Sequence, residues 1–358
     1  MFPIIRALKS LHVPHAVVTT GQHDSLLNQA LEMFRIRPKI RCHRGCNDNT
    51  LVKFMSTSIK QLERVFDKLK PNAVLAQGDT ASVLATAQVC FLKKIPFGHV
   101  EAGLRTYNYE EPWPEEYFRR VVSLTARWNF APTYGAQLNL EREGVDTKRI
   151  YNVGNPVVDA LQYILKKAPV QLPLINDRKY VLITAHRREN IGEPLQNICK
   201  AIRQLAQAYP TIEFRYPVHP NPDIKTTVMS ILAGPGNTAA LPNIILLEPL
   251  NYVDFIHQMA GAEFIMTDSG GAQEEAVSLE MRALVLRNTT ERPEGLTTGC
   301  RLVGTNVDSI VSAFEETCHM APVTKGRNPY GDGTSGEQIA RILMADLNIA
   351  ELKERLGL

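Results

Sequence analysis

The stretch HVEAGLRTYNYEEPWPEE, residues 99–116, holds five glutamates beside two prolines and a tryptophan. A solvated acidic loop has no need of the small Ala102 and Gly103 behind Glu101, or of Pro-Trp-Pro ahead of Glu115 and Glu116. The pattern is one that fixes carboxylates in place. Asp79 follows the apolar run VLAQG, and Glu101 ends FGHV, so Asp79, Glu101 and Glu115 are expected to ring one mouth of a sheet, where paired acids move protons. Each also has a plain structural use: Asp79 as a helix N-cap, and Glu115 and Glu116 as first-turn carboxylates favoured by the helix dipole.

A second set is cationic and glycine-rich. TDSGGAQEEA (267–276) ends a strand and opens a helix with Ser269, Gly270 and Gly271, whose backbone N–H groups can approach a phosphate at the helix N-terminus. Ser269 also serves as an ordinary N-cap. Glu275, one turn in, can accept hydrogen bonds from the hydroxyls of a ribose. ITAHRREN (183–190) places His186 and two arginines at another strand end. A guanidinium forks onto phosphate oxygens, and an imidazole can lend a proton to a departing phosphate. TTERPEG adds Arg292 and YPVHPNP adds His219. Each is weak alone; together they read as diphosphate and ribose recognition opposite a proton-transfer set.

Holding these groups requires strand ends. Continuous apolar runs (HAVVTT, NAVLAQ, IPFGHV and RWNFAPT, then YVLITA, IEFRYPV, NIILLE and EFIMTD) alternate with helical stretches, as in parallel sheets covered on both faces. The fold class expected is α/β, with two doubly wound Rossmann-like domains. Their strand-end turns are expected to face a shared cleft. Loss of period in APVQLPLINDRK puts the boundary near residue 170: an N-terminal domain over 1–170 with the carboxylates, a nucleotide-binding domain over 171–340 and a helical tail over 341–358. The helix SGEQIARILMADL is expected to pack back across the domains. The chain opens in the helical FPIIRALKS, so the first strand and its ligand-binding turn are expected to be missing.

The 358 residues are 44% apolar and 22% charged with a net charge of +3, which argues against a nucleic-acid or membrane surface and for small-molecule partners. No basic, apolar leader and no run of 18 apolar residues occurs, so a cytoplasmic protein is expected. The six cysteines are scattered and read as reduced thiols. CHRGC (42–46) lacks a second Cys/His pair at zinc spacing, so no metal is expected.

GDT, GHVEAGLRT, PWPEE with Arg119, GNPVVDAL, TAHRREN, YPVHPNP, TDSGGAQEEAVSL, LVLRNTTERPEG and NPYGDG, in this order from Gln22 to Gly333, make the chain resemble the non-hydrolysing UDP-N-acetylglucosamine 2-epimerases. The resemblance implies a glycosyltransferase-B-like fold, a homodimer, and interconversion of UDP-GlcNAc and UDP-ManNAc for surface polysaccharide without metal or redox cofactor. It implies that Asp79, Glu101 and Glu115 are the active-site carboxylates and that His186 assists departure of the phosphate. Arg119, Ser269, Gly270, Gly271, Glu275 and Arg292 would bind substrate. Gln22, Arg187 and His219, with Glu115, match contacts to an activating second UDP-GlcNAc. The alternatives are a hydrolysing epimerase releasing ManNAc and UDP, an inactive UDP-sugar-binding protein, and a glycosyltransferase of the same fold, for which no acceptor signature is found. Ser25 stands where the family's activator site has glutamine, so weak activation is expected. Phe118, Asn288 and SLEMRA also depart from the pattern. The family's N-terminal strand and GTRPE turn are not matched, so the chain as written is expected to be less stable and less active than one extended upstream.

Overall fold

The computed structural model describes residues 1–21, 24–43, 50–167, 178–234, 241–321, 323 and 326–348, without the side chains of 24–26. Expectations for Gln22, Cys46, the Ser25 side chain and the boundary near 170 lie outside the described residues. Two compact units are formed, Met1–Ala160 with Pro329–Leu358, and Leu161–Asn328.

The first unit runs α1 (Phe2–Ser10), β1 (Val18–Thr19), α2 (Asp24–Met33), β2 (Ile40–Arg41), α3 (Leu51–Leu69), β3 (Val74–Gln77), α4 (Ala81–Leu92), β4 (Phe97–Val100), α5 (Glu115–Thr125), β5 (Trp128–Ala131), α6 (Tyr134–Arg142), β6 (Ile150–Asn152) and α7 (Pro156–Lys167), whose last residues belong to the second unit. All its strand pairs are parallel, in the order β3-β4-β5-β6, with β1-β2 as a separate two-stranded sheet. Both faces need cover. Phe54, Leu62 and Phe66 of α3, Leu84 and Ala87 of α4, and Phe118 and Val122 of α5 supply it on one side. β4 and β5 are buried at every position, whereas the edge strand β3 is half-buried at every position. Among the described residues, no pairing joins β1-β2 to β3.

The second unit runs β7 (Tyr180–Thr184), α8 (Glu193–Ala208), β8 (Glu213–Pro217), α9 (Pro222–Leu232), β9 (Ile244–Leu247), α10 (Tyr252–Ala260), β10 (Phe264–Thr267), α11 (Gly270–Ser278), β11 (Ala283–Val285), β12 (Cys300–Leu302) and α12 (Val307–Cys318). Its sheet is parallel throughout in the order β12-β11-β10-β7-β8-β9. The winding reverses between β7 and β10, a switch point at which the carboxyl ends of strands leave room for a ligand.

One expectation is corrected here. Residues 329–340, assigned to the second domain, and the described part of the tail belong to the first unit. The helix α13 (Ser335–Asp346) lays Ile339 and Leu343 with Ile4 of α1 over Val100, Trp128 and Phe130. Polar contacts fix it: the N–H groups of Ser335 and Gly336 donate to the Asp159 carboxylate at 3.3 and 2.8 Å, and Trp128 Nε1 donates to Asp346 Oδ2 at 2.9 Å. The uncovered face of an apolar parallel sheet is the physical reason for the return.

Candidate active site

In the first unit the carboxylates sit at consecutive strand ends. After β3 the chain turns through Gly78 at φ +85°, and Thr80, not Asp79, is the N-cap of α4. Asp79 reaches sideways to α5, where buried Arg119 Nη2 donates to its Oδ2 at 2.5 Å. Arg119 Nη1 is 3.4 Å from Glu116 Oε2. Glu116 is fully buried and accepts the N–H groups of Thr106 and Tyr107 at 3.1 Å each, so it holds the acidic loop while its half-buried neighbour Glu115 stands at the start of the helix.

Glu101, after β4, has φ +68°, a left-handed backbone that non-glycine residues adopt at a cost and that re-aims the side chain. Gln77 Nε2 donates to its Oε2 at 3.2 Å. The small residues behind it now have a cause. A Cβ at Gly103, itself at φ +90°, would lie 2.2 Å from the Ala136 carbonyl oxygen, and Ala102 is completely buried. The Pro-Trp-Pro brace contains cis bonds at Glu111–Pro112 and Trp113–Pro114. His99 Nε2 is 2.8 Å from the Gly78 carbonyl oxygen, and burial lowers its pKa to about 4, so a neutral imidazole donates there and pins the Asp79 turn to β4.

In the second unit the switch point brings the β7 and β10 turns together. Asp268 is fully buried; its Oδ2 accepts the N–H groups of His186 and Arg187 at 2.8 Å each, and Asn190 Nδ2 at 2.9 Å. His219, after β8, stacks on His186 at 5.5 Å and 14°. Burial, followed by the neighbouring His186, lowers the His219 pKa. Arg187 Nη2 lies 3.9 Å from Glu291.

Ser269 caps α11, accepting from Ala272 N at 3.4 Å. The next two glycines differ. A Cβ at Gly270 would meet Arg292 Nη1 at 2.2 Å, whereas a Cβ at Gly271 would meet nothing within 4 Å. Gly271 therefore faces open space, and Gly270 makes room for a guanidinium. That guanidinium is engaged by protein acids: Arg292 Nε donates to Glu274 Oε1 at 2.7 Å and Nη1 to Glu291 Oε1, both acceptors buried. Arg292 thus lies against the first glycine of α11, held there by two buried carboxylates. Glu275 accepts from Tyr252 Oη at 2.6 Å, and burial pushes its carboxyl up to about 7 against that hydrogen bond and Arg292.

The family model for UDP-N-acetylglucosamine 2-epimerase matches residues 6–344. The chain belongs to the UDP-N-acetylglucosamine 2-epimerase family. It is 37% identical to the UDP-N-acetylglucosamine 2-epimerase of Neisseria meningitidis, over 96% of this chain and 95% of that one, and 38% identical to that of Salmonella typhimurium, over 96% and 94%. The Neisseria meningitidis crystal structure bound to UDP-GlcNAc is similar with a TM-score of 0.90 and 37% identity, covering 96% of each chain. The Methanocaldococcus jannaschii epimerase in complex with UDP-GlcNAc and UDP gives 0.85 and 34%, covering 96% and 95%. A UDP-forming trehalose-phosphate synthase from Burkholderia vietnamiensis, 11% identical with a TM-score of 0.53, shares the fold alone, which is glycosyltransferase-B-like.

Within this epimerase-family chain, sequence reasoning passed over His99, Asp268 and Tyr252, and read Glu116 only as a first-turn carboxylate. His99, Glu116 and Asp268 lie inside the quoted motifs, where nothing local shows that each is fully buried. Tyr252 carries no local signal, since its partner Glu275 is 23 residues away.

Proposed function

We propose that this chain interconverts UDP-GlcNAc and UDP-ManNAc without hydrolysis. A base takes the C2 proton while the C1–O bond to UDP breaks, giving 2-acetamidoglucal and UDP. The UDP oxygen then returns to C1 and a proton is delivered to C2 from the opposite face. Elimination is required because C2 has no neighbouring carbonyl to acidify its hydrogen. Asp79, Glu101 and Glu115 handle the proton, each positioned acid or base contributing about 10²–10⁴-fold. Arg119 orients Asp79. Ser269 and the Gly270–Gly271 turn hold the diphosphate with Arg292 behind them, Glu275 takes the ribose, and His186 assists departure.

The observation that carries this reading is the pair of carboxylates on adjacent strand ends, one fixed by a buried arginine and the other on left-handed backbone. Turnover in D₂O followed by NMR tests it. UDP-ManNAc with deuterium at C2 is expected; product without deuterium rejects the elimination, and free ManNAc with UDP identifies the hydrolysing reaction.

The same reading places the protein in the cytoplasm, supplying a surface polysaccharide; among the described residues no helix is long and apolar enough to cross a membrane. Fractionation of the source cells checks the compartment, and loss of polysaccharide ManNAc on gene deletion checks the pathway. A homodimer is supported by exposed Val52, Phe91, Leu92 and Leu124 on α3, α4 and α5. Sedimentation velocity should show a dimer that Phe91→Asp weakens; a monomer at assay concentration rejects it. Arg187 and His219 would contact an activating second UDP-GlcNAc, with activation weak because of Ser25. A strongly sigmoidal rate curve would contradict that.

A further inference from the structure

The Asp268 carboxylate has two oxygens with different fates. Oδ2 takes the three donors of the β7 turn. Oδ1 is buried and, among the described residues, has no hydrogen-bond partner. A buried carboxylate oxygen left unmatched is costly, so a partner for it is expected. The nearest candidate is His186 Nδ1 at 3.6 Å, beyond hydrogen-bond range but closed by a shift of roughly half an ångström. Contacts of this kind are often long in ligand-free sites and tighten when substrate binds.

We infer that Asp268 is a positioning residue that acts through His186, an inference resting on the reading of His186 as the group that assists departure of the diphosphate. The groups facing the imidazole are Thr184 from its own turn, with Oγ1 3.2 Å from Nδ1, Asp268 from the β10 turn, and His219 stacked from the β8 turn. The carboxylate and the threonine hydroxyl oxygen both lie on the Nδ1 side, and both can accept. They keep a proton on Nδ1 and leave Nε2 as the working nitrogen. In the imidazolium the Nε2 proton passes to the departing diphosphate oxygen, while the other proton stays on Nδ1, facing the Asp268 carboxylate. The product is the neutral Nδ1–H tautomer, and on re-addition the same proton returns to Nε2. The two residues therefore act as a dyad in which the acid orients and stabilises the charged imidazole without itself being protonated.

Asp268→Asn separates this role from a structural one. Its amide oxygen can still serve the three donors that fix the β7 turn, which turns the amide nitrogen, a donor, toward Nδ1. The neutral imidazole must then carry its proton on Nε2. Nitrogen-15 NMR of the ligand-free full-length chain, with the His186 signal assigned by His186→Gln, should show the Nδ1–H tautomer in the unaltered protein and the Nε2–H tautomer in Asp268→Asn. In kinetics turnover should fall at least about tenfold, since the imidazole then presents the wrong tautomer. An Nε2–H tautomer in the unaltered chain overturns the inference, even if Asp268→Asn fails to fold. An unchanged tautomer in a folded Asp268→Asn also overturns it. The NMR arm needs no substrate, so a chain without epimerase activity still decides the dyad. An active chain with the wrong tautomer rejects the dyad and leaves the proposed reaction standing.

Discussion

Asp79, Glu101 and Glu115 belong to the first unit, and the anion cradle to the second, so loss of turnover and loss of nucleotide affinity should separate. Asp79→Asn, Glu101→Gln and Glu115→Gln should each lower kcat by about 10²–10⁴-fold while calorimetry still finds UDP bound. A variant that lost UDP affinity and kept its turnover would contradict that division. Glu275 makes a pH prediction. Its pKa rises from 4.5 to about 7 on folding, so across that window the folded chain holds a proton that the unfolded chain has released. The Glu275 contribution to the stability of the ligand-free protein therefore falls as pH rises from 4.5 toward 7, by about 3 kcal/mol at most, against an opposite contribution from buried His99, whose pKa is lowered to about 4. Glu275→Gln should remove that contribution and make the slope of Tm against pH more positive than the parent's over this window, while weakening UDP-sugar binding. A Tm slope equal to that of the parent would show that Glu275 does not titrate in this range.

At the level of turns and helices, the two glycines that open α11 give opposite expectations. Gly270→Ala must push the Arg292 guanidinium off Glu274 and Glu291, so Tm and UDP affinity should fall together. Gly271→Ala enters open space and should leave Tm within about a degree while reducing UDP affinity. Equal Tm losses in both would reject the assignment of Gly271 to the ligand side. The sequence made the positions of these turns legible but not their internal wiring. YVLITA and EFIMTD read as strands because central parallel strands are apolar on both faces; β2, β6, β11 and β12 are only two or three residues long and carry no period to read. Asp79 looked like a helix cap because local spacing cannot register a partner 40 residues away on α5. Nor does local spacing show that Arg292 is paired with Glu274, 18 residues away on α11.

For the whole molecule, the course of α13 was the least legible feature, since the period of SGEQIARILMADL fixes an apolar face and not what that face meets. Its partner is the first unit's sheet, and Ile339 and Trp128 share one apolar cluster. Ile339→Ala should destabilise that unit by about 2–5 kcal/mol. Denaturant titration can follow it by tryptophan emission, because Trp128 is buried and Trp113 is 60% exposed. A midpoint unmoved by Ile339→Ala would mean that α13 contributes little to holding the unit together. The division of the first unit's strands into two sheets also shapes how it opens. β1 and β2 share a ladder only two residues long and adjoin the larger core through half-buried Val18 and Ile40, whereas β4 and β5 lie wholly inside it. Local opening free energy follows buried contact, so the first unit should not unfold as one cooperative block. In native-state deuterium exchange, the amides of Lys39, Ile40 and Cys42, which donate to Val17 and Thr19, should be labelled while those of β4 and β5 remain protected. The β1-β2 leaf is then a foldon that parts before β4 and β5 do.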